Sequence, residues 1–244
     1  AERDILAKID SEILNENIPA HLRDSKNKWF GLSKRARTIV FSSDQFKDND
    51  FSTYEDLADP KWKGKLCLRT SKKVYNRSLI ASMIDAYGFD KSKEVVSGWV
   101  SNLATEVFSN DTNALKAVSS GQCGVTIVNT YYLARLLDDP EYNNLSLFWA
   151  NQSDRGVHVN ISGAGVVKTS KNKKNAVLFL EYLSSNRAQD FYASANKEYP
   201  VLIGAKIDES IENWGSFREH TINVSKLGSL QKEAVFLAQE VGYK

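Results

Sequence analysis

Short apolar runs alternate with helical patterns through the middle of this 244-residue chain, and this alternation constrains its fold more than any other feature. Strands that alternate with helices predict an α/β fold built on a parallel sheet. The strand-like runs are 37–41, 66–69 and 123–128, and the helical patterns between them are 76–88, 90–103 and 111–118.

The later part of the chain follows a different pattern. Residues 145–149 and 157–167 are extended, and the segments 176–183, 188–195 and 230–241 then have helical spacing. No internal repeat, low-complexity tract or Pro/Gly-rich linker separates the two parts. If the protein has two lobes, we therefore expect the chain to cross between them more than once.

Composition excludes two classes of partner. The 32 Lys and Arg residues nearly balance the 30 Asp and Glu residues, and they are scattered rather than gathered into runs that would track phosphates. We therefore expect no nucleic-acid binding. No run approaches the roughly 18 apolar residues of a membrane span, so no membrane insertion is expected. With 42% hydrophobic residues, the chain has enough apolar material for one large domain or two lobes.

The two cysteines, Cys67 and Cys123, each lie in a short strand-like run. Neither has a second Cys or a His at the spacing of a zinc site. We expect two buried thiols, because free cysteine is among the most buried residue types. The alternative is a disulfide between neighbouring strands, which would fit an oxidising compartment.

Two adjacent tyrosines, Tyr131 and Tyr132, lie where the third strand-like run gives way to a helical pattern. Such a junction turns side chains and backbone N–H groups towards a cleft. Tyr75 has an equivalent position, after a polar turn and before a helix. We therefore expect the three phenols at one carboxyl edge of the sheet. The alternative is that one tyrosine of the pair packs, the other is solvated and Tyr75 is an exposed turn residue.

Several blocks of the chain, taken together, resemble one family, the periplasmic ferric-iron-binding proteins of bacterial ABC importers, in their cyanobacterial-like branch. The tyrosine pair with Tyr75 upstream is the most specific of these features. The blocks, in the order that the family keeps, are 28–37, 52–65, 74–79, 110–112, 129–135, 151–152, 155–165 and 198–201.

The resemblance implies a two-lobed α/β periplasmic binding protein of type II, with parallel or mixed sheets flanked by helices and a ligand cleft between the lobes. Residues 1–37 and 162–212 would form the remainder of the N-terminal lobe, and residues 38–161 and 213–244 the C-terminal lobe. It also implies a monomeric periplasmic carrier without catalysis, whose partner is an ABC importer permease in the inner membrane. Roughly the first 70 residues of the family pattern have no counterpart here, and with them goes the ligand that the family draws from its N-terminal lobe.

The ligand that the resemblance implies is Fe(III), a hard cation that favours anionic oxygen. The implied ligands are Tyr75, Tyr131 and Tyr132, whose three phenolates would neutralise the charge of the ion. A free phenol ionises near pH 10, so the metal must displace the proton. The remaining coordination positions would be open to the N-terminal residue, water or a synergistic anion.

The residues expected around the ligands are Arg35 and Arg135, whose guanidinium groups would donate hydrogen bonds to phenolate or to a bound anion. Arg135 follows Tyr131 by four residues, on the same helix face. The alternative for both arginines is a solvated surface position. Asn129 is expected to steady the turn or a bound anion. His158, in an extended apolar context, is expected to be structural rather than a ligand.

Three other functions stay open at this point. A protein of the same fold would bind another small anion or an organic solute such as a polyamine, although aromatic walls and carboxylates more often meet an organic solute. A hydrolase would use Cys123 or Ser162 with His158, but no Gly-x-Ser-x-Gly elbow is present. A scaffold protein would bind no metal, anion or solute.

Overall fold

One long strand, β1 (Phe30–Ser42), organises the fold. The computed structural model describes residues 4–244, and nearly all of β1 is buried. The chain separates into two units, and β1 contributes to both: its residues up to Arg35 belong to the first unit and those from Ala36 to the second. The chain also crosses between the units later, as the sequence predicts.

The first unit comprises residues 1–35, 160–213 and 221–226, and the second comprises residues 36–159, 214–220 and 227–244. The lobe limits that the resemblance implies stay a prediction. The other strands are β2 (Leu66–Cys67), β3 (Val125–Asn129), β4 (Leu145–Phe148), β5 (Val159–Ala164) and β6 (Tyr199–Pro200). The helices are α1 (Glu12–Asn17), α2 (Val74–Tyr87), α3 (Phe89–Ser101), α4 (Asp111–Ser119), α5 (Thr130–Ala134), α6 (Lys173–Leu183), α7 (Asn186–Asn196), α8 (Glu209–Glu212), α9 (Val224–Ser229) and α10 (Gln231–Glu240).

The sheet of the second unit is mixed, with the strand order β2, β3, β1, β4. Only β2 and β3 are parallel to each other, whereas β1 is antiparallel to both β3 and β4. The prediction of a parallel sheet is therefore wrong for the pairings of β1. It treated every strand as the start of a crossover unit, but β1 enters this unit from the first one and its direction is determined there.

In the first unit, β5 and β6 both pair with β1. The buried side chain of Gln189, on α7, contacts backbone groups beside this pairing. It donates a hydrogen bond to the carbonyl of Leu32 at 2.8 Å and accepts one from the backbone N–H of Val201 at 2.8 Å. One amide therefore satisfies backbone groups of two segments that lie beside each other.

In the core of the second unit, α4 packs against the sheet. Leu115 and Val118 of α4 belong to one buried apolar cluster with Val40 of β1 and Val128 of β3. Cys67 and Cys123 belong to the same core and form a disulfide. The expectation of two buried thiols is wrong, although both residues are buried. The parallel pairing of β2 and β3 brings the cysteines together, and their Cα atoms are 5.9 Å apart.

Two helix starts differ from the pattern. Helix α2 begins at Val74, so Tyr75 lies in its first turn rather than ahead of it. Helix α3 begins at Phe89, with Gly88 as its N-cap, rather than at the predicted residue 90. Gly88 has φ 81° and ψ 170°, a conformation open to glycine that lets α3 begin directly after α2 ends.

Candidate metal centre

The tyrosine pair lies on α5, a single helical turn that follows β3 without a connecting loop. Strand β3 is buried at every position, which fixes where the turn begins. Tyr131 is 7% exposed and Tyr132 is partly buried. The centroids of their rings are 4.3 Å apart and the ring planes meet at 32°. The strand end therefore presents two phenols side by side.

Tyr75 joins this pair from α2. Its hydroxyl oxygen lies 3.4 Å from that of Tyr131. The two residues are 56 positions apart in the chain, so the contact depends on the packing of the second unit rather than on local sequence. The structure thus brings together the three phenols that were predicted as ligands, within one unit of the protein.

Burial raises the pKa of Tyr131 well above its ordinary value, and the neighbouring hydroxyl groups of Tyr132 and Tyr75 raise it further. A phenolate at Tyr131 would be poorly solvated and would face two hydroxyl oxygen atoms that carry partial negative charge. In the absence of a cation, the protonated phenol is therefore the stable form of Tyr131 at neutral pH. A cation among the three oxygens reverses this preference, because it favours the anionic form.

Two guanidinium groups lie against the phenols. The Cζ atom of Arg135 lies 4.9 Å from the ring centroid of Tyr131, and that of Arg69 lies 5.0 Å from the ring centroid of Tyr75. Nη1 of Arg69 also lies 3.5 Å from the hydroxyl oxygen of Tyr132. Arg135 is thus placed next to the tyrosines, as its spacing from Tyr131 predicts. Its effect on ligand binding stays a prediction.

A buried network supports the phenols from the sheet. Arg37 and Asp111 are both fully buried, and Nη1 of Arg37 lies 2.9 Å from a carboxylate oxygen of Asp111. Nη1 of Arg69 lies 3.6 Å from the other carboxylate oxygen. Asp111 also accepts the backbone N–H of Asn129 at 3.1 Å, at the residue that precedes α5. The carboxylate therefore joins β1, α4 and the strand end that carries the tyrosine pair.

Asn129 has a structural place in this network. Its side-chain oxygen accepts a hydrogen bond from Nη1 of Arg37 at 3.1 Å, and the residue is fully buried. This contact fits the predicted steadying of the turn, whereas a role in anion binding stays a prediction. Arg35 belongs to the first unit, where its Nη1 donates to Ser162 at 2.7 Å and lies 4.0 Å from Glu198. Its predicted role around the ligands is likewise still a prediction.

His158 is 1% exposed, and its Nε2 lies 2.8 Å from the hydroxyl oxygen of Ser78. Burial lowers the pKa of His158 well below its ordinary value, and the charge of His220 lowers it further. A neutral histidine that is bound to Ser78 is consistent with a structural role. Cys123 cannot act as the nucleophile of a hydrolase, because its sulfur atom is in the disulfide with Cys67.

Sequence reasoning missed two residues of the site, Arg69 and Asp111. The pattern places Arg69 at a strand end and Asp111 at a helix start, and it connects neither residue with the tyrosines. The available signal was that Arg69 ends the strand-like run parallel to the one that leads to Tyr131, so both residues reach the same sheet edge. Within residues 4–244, no three His, Cys, Asp or Glu side chains lie together in a way that could hold a metal ion.

Residues 1–221 match the family described as bacterial extracellular solute-binding protein. The chain belongs to this family. This solute-binding protein is 45% identical to iron uptake protein A1 of Synechocystis sp. over 251 residues, which cover 100% of the chain and 70% of the relative. The predicted family resemblance is confirmed.

Solved structures agree with the sequence matches. The solute-binding protein superposes with a TM-score of 0.97 on Trichodesmium IdiA (FutA) in complex with iron and citrate, at 43% identity, covering 100% of this chain and 79% of the other. It also superposes on ferric iron-binding protein A of Mannheimia haemolytica in an open conformation, with a TM-score of 0.94 and 39% identity. This match covers 99% of this chain and 78% of the other. The predicted fold class, a two-lobed α/β periplasmic binding protein, is confirmed. No helix within residues 4–244 has the length and apolar character needed to cross a membrane.

We predict that Asp111→Asn lowers the free energy of unfolding by about 3–5 kcal/mol, because it leaves Arg37 buried without its counter-charge. Denaturant unfolding of both proteins measures the change. The matched control is Glu94→Gln, which removes the exposed ion pair with Lys91 and is expected to cost less than about 1 kcal/mol. Equal effects of the two substitutions would contradict the structural role of the buried network.

Proposed function

We propose that this solute-binding protein captures Fe(III) through the phenolate oxygens of Tyr75, Tyr131 and Tyr132 and delivers it to an ABC importer permease. The observation that carries the proposal is the convergence of three phenols from two separate helices. A tyrosine cluster is a specific choice of ligand, because a hard trivalent cation prefers anionic oxygen to thiolate or thioether.

The charges of the site fit this cargo. Three phenolates balance three positive charges, so the loaded site gains no net charge. The guanidinium groups of Arg69 and Arg135 lie at the aromatic faces of Tyr75 and Tyr131 and favour the ionised ligands. We propose that a synergistic anion or water occupies the remaining coordination positions. The relative from Trichodesmium, which was solved with iron and citrate, supports an organic carboxylate as one such anion.

Transport is the second half of the proposal. The names of the relatives describe uptake and binding rather than catalysis: iron uptake proteins in Synechocystis sp. and an Fe(3+)-binding periplasmic protein in Serratia marcescens. By analogy, this chain would act in the periplasm as a monomeric carrier, with the inner-membrane permease as its partner. A polyamine is less well matched to this site than Fe(III). An ammonium group does not displace the phenol protons as a metal ion does, so it would meet the charges of Arg69 and Arg135 without phenolates to offset them.

We expect Tyr131→Phe and Tyr132→Phe each to weaken Fe(III) binding more than about 100-fold, which exceeds the 10–100-fold typical of outer-sphere changes. Each substitution removes one ionisable oxygen and almost no volume. Titration with ferric citrate, followed by the phenolate-to-iron absorption in the visible range, measures the affinity. The control is Tyr87→Phe, at the opposite end of α2 from Tyr75, where the hydroxyl group contacts Arg155 instead.

The control should bind iron as the wild type does. Wild-type affinity in both pair variants, with their fold intact by circular dichroism, would show that these residues are not the ligands. A wild-type protein without visible absorption at saturating ferric citrate would contradict the proposed cargo.

The raised pKa of Tyr131 gives a prediction for pH dependence. The phenol is protonated in the metal-free protein at neutral pH, so iron must displace the proton, and affinity falls as the pH falls. We expect about three protons to be released per iron bound, one from each phenol. Measurement in weakly buffered solution, corrected for protons exchanged by the ferric chelate alone, gives this number. Iron binding that releases no protons would exclude tyrosinate ligation.

A further inference from the structure

Arg69 contacts two of the three phenols at once. Its guanidinium lies over the ring of Tyr75, at 5.0 Å from the centroid, and its Nη1 lies 3.5 Å from the hydroxyl oxygen of Tyr132. These tyrosines are on different helices, so Arg69 links the two sources of the cluster. Its side chain is 8% exposed, which limits screening of its charge by water.

The position of Arg69 is fixed through its backbone as well. Its carbonyl oxygen accepts hydrogen bonds from the side-chain nitrogen of Asn76 at 2.7 Å and from the hydroxyl group of Tyr243 at 2.6 Å. Asn76 in turn accepts from Nε of Arg37 at 2.8 Å. The backbone from which the guanidinium projects is therefore held on more than one side, which fixes the point from which the side chain reaches the phenols.

The charge of Arg69 is only partly balanced. Asp111 contacts both Arg37 and Arg69, but Arg37 is closer, at 2.9 Å against 3.6 Å. Two guanidinium groups share one carboxylate, so the three side chains together carry one net positive charge. Arg69, which is the outer member of this cluster, presents that charge to Tyr132.

We propose that Arg69 is a positioning residue of the iron site: it holds Tyr75 and Tyr132 in place and donates a hydrogen bond to the Tyr132 phenolate when iron is bound. The inference rests on the proposed function. The separation of 3.5 Å is the outer limit of a hydrogen bond to a neutral phenol. An ionised oxygen is a stronger acceptor and attracts the guanidinium more strongly.

The chemistry requires arginine rather than any cation. A planar guanidinium can stack on one aromatic ring while an N–H at its edge donates to a neighbouring oxygen, whereas an ammonium group is a compact point charge without a stacking face. Lysine at this position would retain charge beside Asp111 but would lose the contact that joins the two tyrosines.

The test compares iron-loaded wild type, Arg69→Gln and Arg69→Lys by visible absorption. A hydrogen bond to phenolate lowers the energy of its filled orbitals and so raises the energy of its charge transfer to iron. We expect the band of Arg69→Gln to move to longer wavelength and iron loss to a competing chelator to be about 10–100-fold faster, because a charge-assisted hydrogen bond is removed. Arg69→Lys should shift in the same direction by a smaller amount.

Arg77→Gln is the matched control. Arg77 lies on α2 two residues after Tyr75, and its Nε donates to the carbonyl of Ser71 at 3.0 Å rather than to a phenol. It has the same charge as Arg69 and a neighbouring position. Its substitution should leave the wavelength of the band and the rate of iron loss unchanged.

A second readout needs no iron. Ring signals of Tyr75 and Tyr132 in the metal-free protein, observed by NMR with labelled tyrosine, should shift in Arg69→Gln and stay in place in Arg77→Gln. If Arg69→Gln fails to fold, the comparison of Arg69→Lys with the wild type tests the proposal. Lysine retains a positive charge beside the carboxylate of Asp111, so this variant is expected to fold.

The outcomes separate the two proposals. A folded Arg69 variant with the wild-type band, rate of iron loss and tyrosine signals would overturn the role of Arg69 while leaving the iron site intact. A wild-type protein without any charge-transfer band would overturn the proposed function itself, whatever the tyrosine signals of the metal-free protein.

Discussion

The buried ion pair of Arg37 and Asp111 is the interaction on which the rest of the site depends. Removing both charges from water is costly, and attraction between them offsets this cost only if the remaining polar atoms are also satisfied. Arg37 meets this condition: besides Asp111, its guanidinium donates to the side chains of Asn76 and Asn129 and to the carbonyl of Ile127. The pair therefore fixes segments of β1, β3, α2 and α4 relative to one another.

This network explains how the short helix α5 and the first turn of α2 can hold the three phenols in place. Helix α5 comprises only five residues, too few to be stable alone, and its start is tied to Asp111 through the backbone of Asn129. Burial and mutual contact make ionisation of Tyr131 unfavourable without a cation. The site is thus prepared for a highly charged metal ion and is expected to stay neutral without one, which couples metal capture to proton release.

Sequence alone predicted the part of the site that rests on local pattern. The strand end before Tyr131 and the helix after Tyr75 have clear apolar periodicity, so both could be placed at one sheet edge. The pattern places the strand end at Arg69 and the strand end before Tyr132 at the same sheet edge, but their contact, across 63 positions of the chain, also requires β2 and β3 to be neighbours, and the pattern does not decide which strands pair. The same reason explains the error over the cysteines: only the pairing of β2 with β3 decides between two thiols and a disulfide. The direction of β1 was missed because it is determined where the strand enters from the other unit.

Ligation of iron by the three tyrosines is tested most directly by a crystal structure of the protein loaded with ferric iron. Anomalous diffraction recorded at the iron absorption edge locates the metal. We expect one strong anomalous peak within bonding distance of the hydroxyl oxygens of Tyr75, Tyr131 and Tyr132. A peak at another place in the chain, or a peak bonded to none of these oxygens, would contradict this ligation.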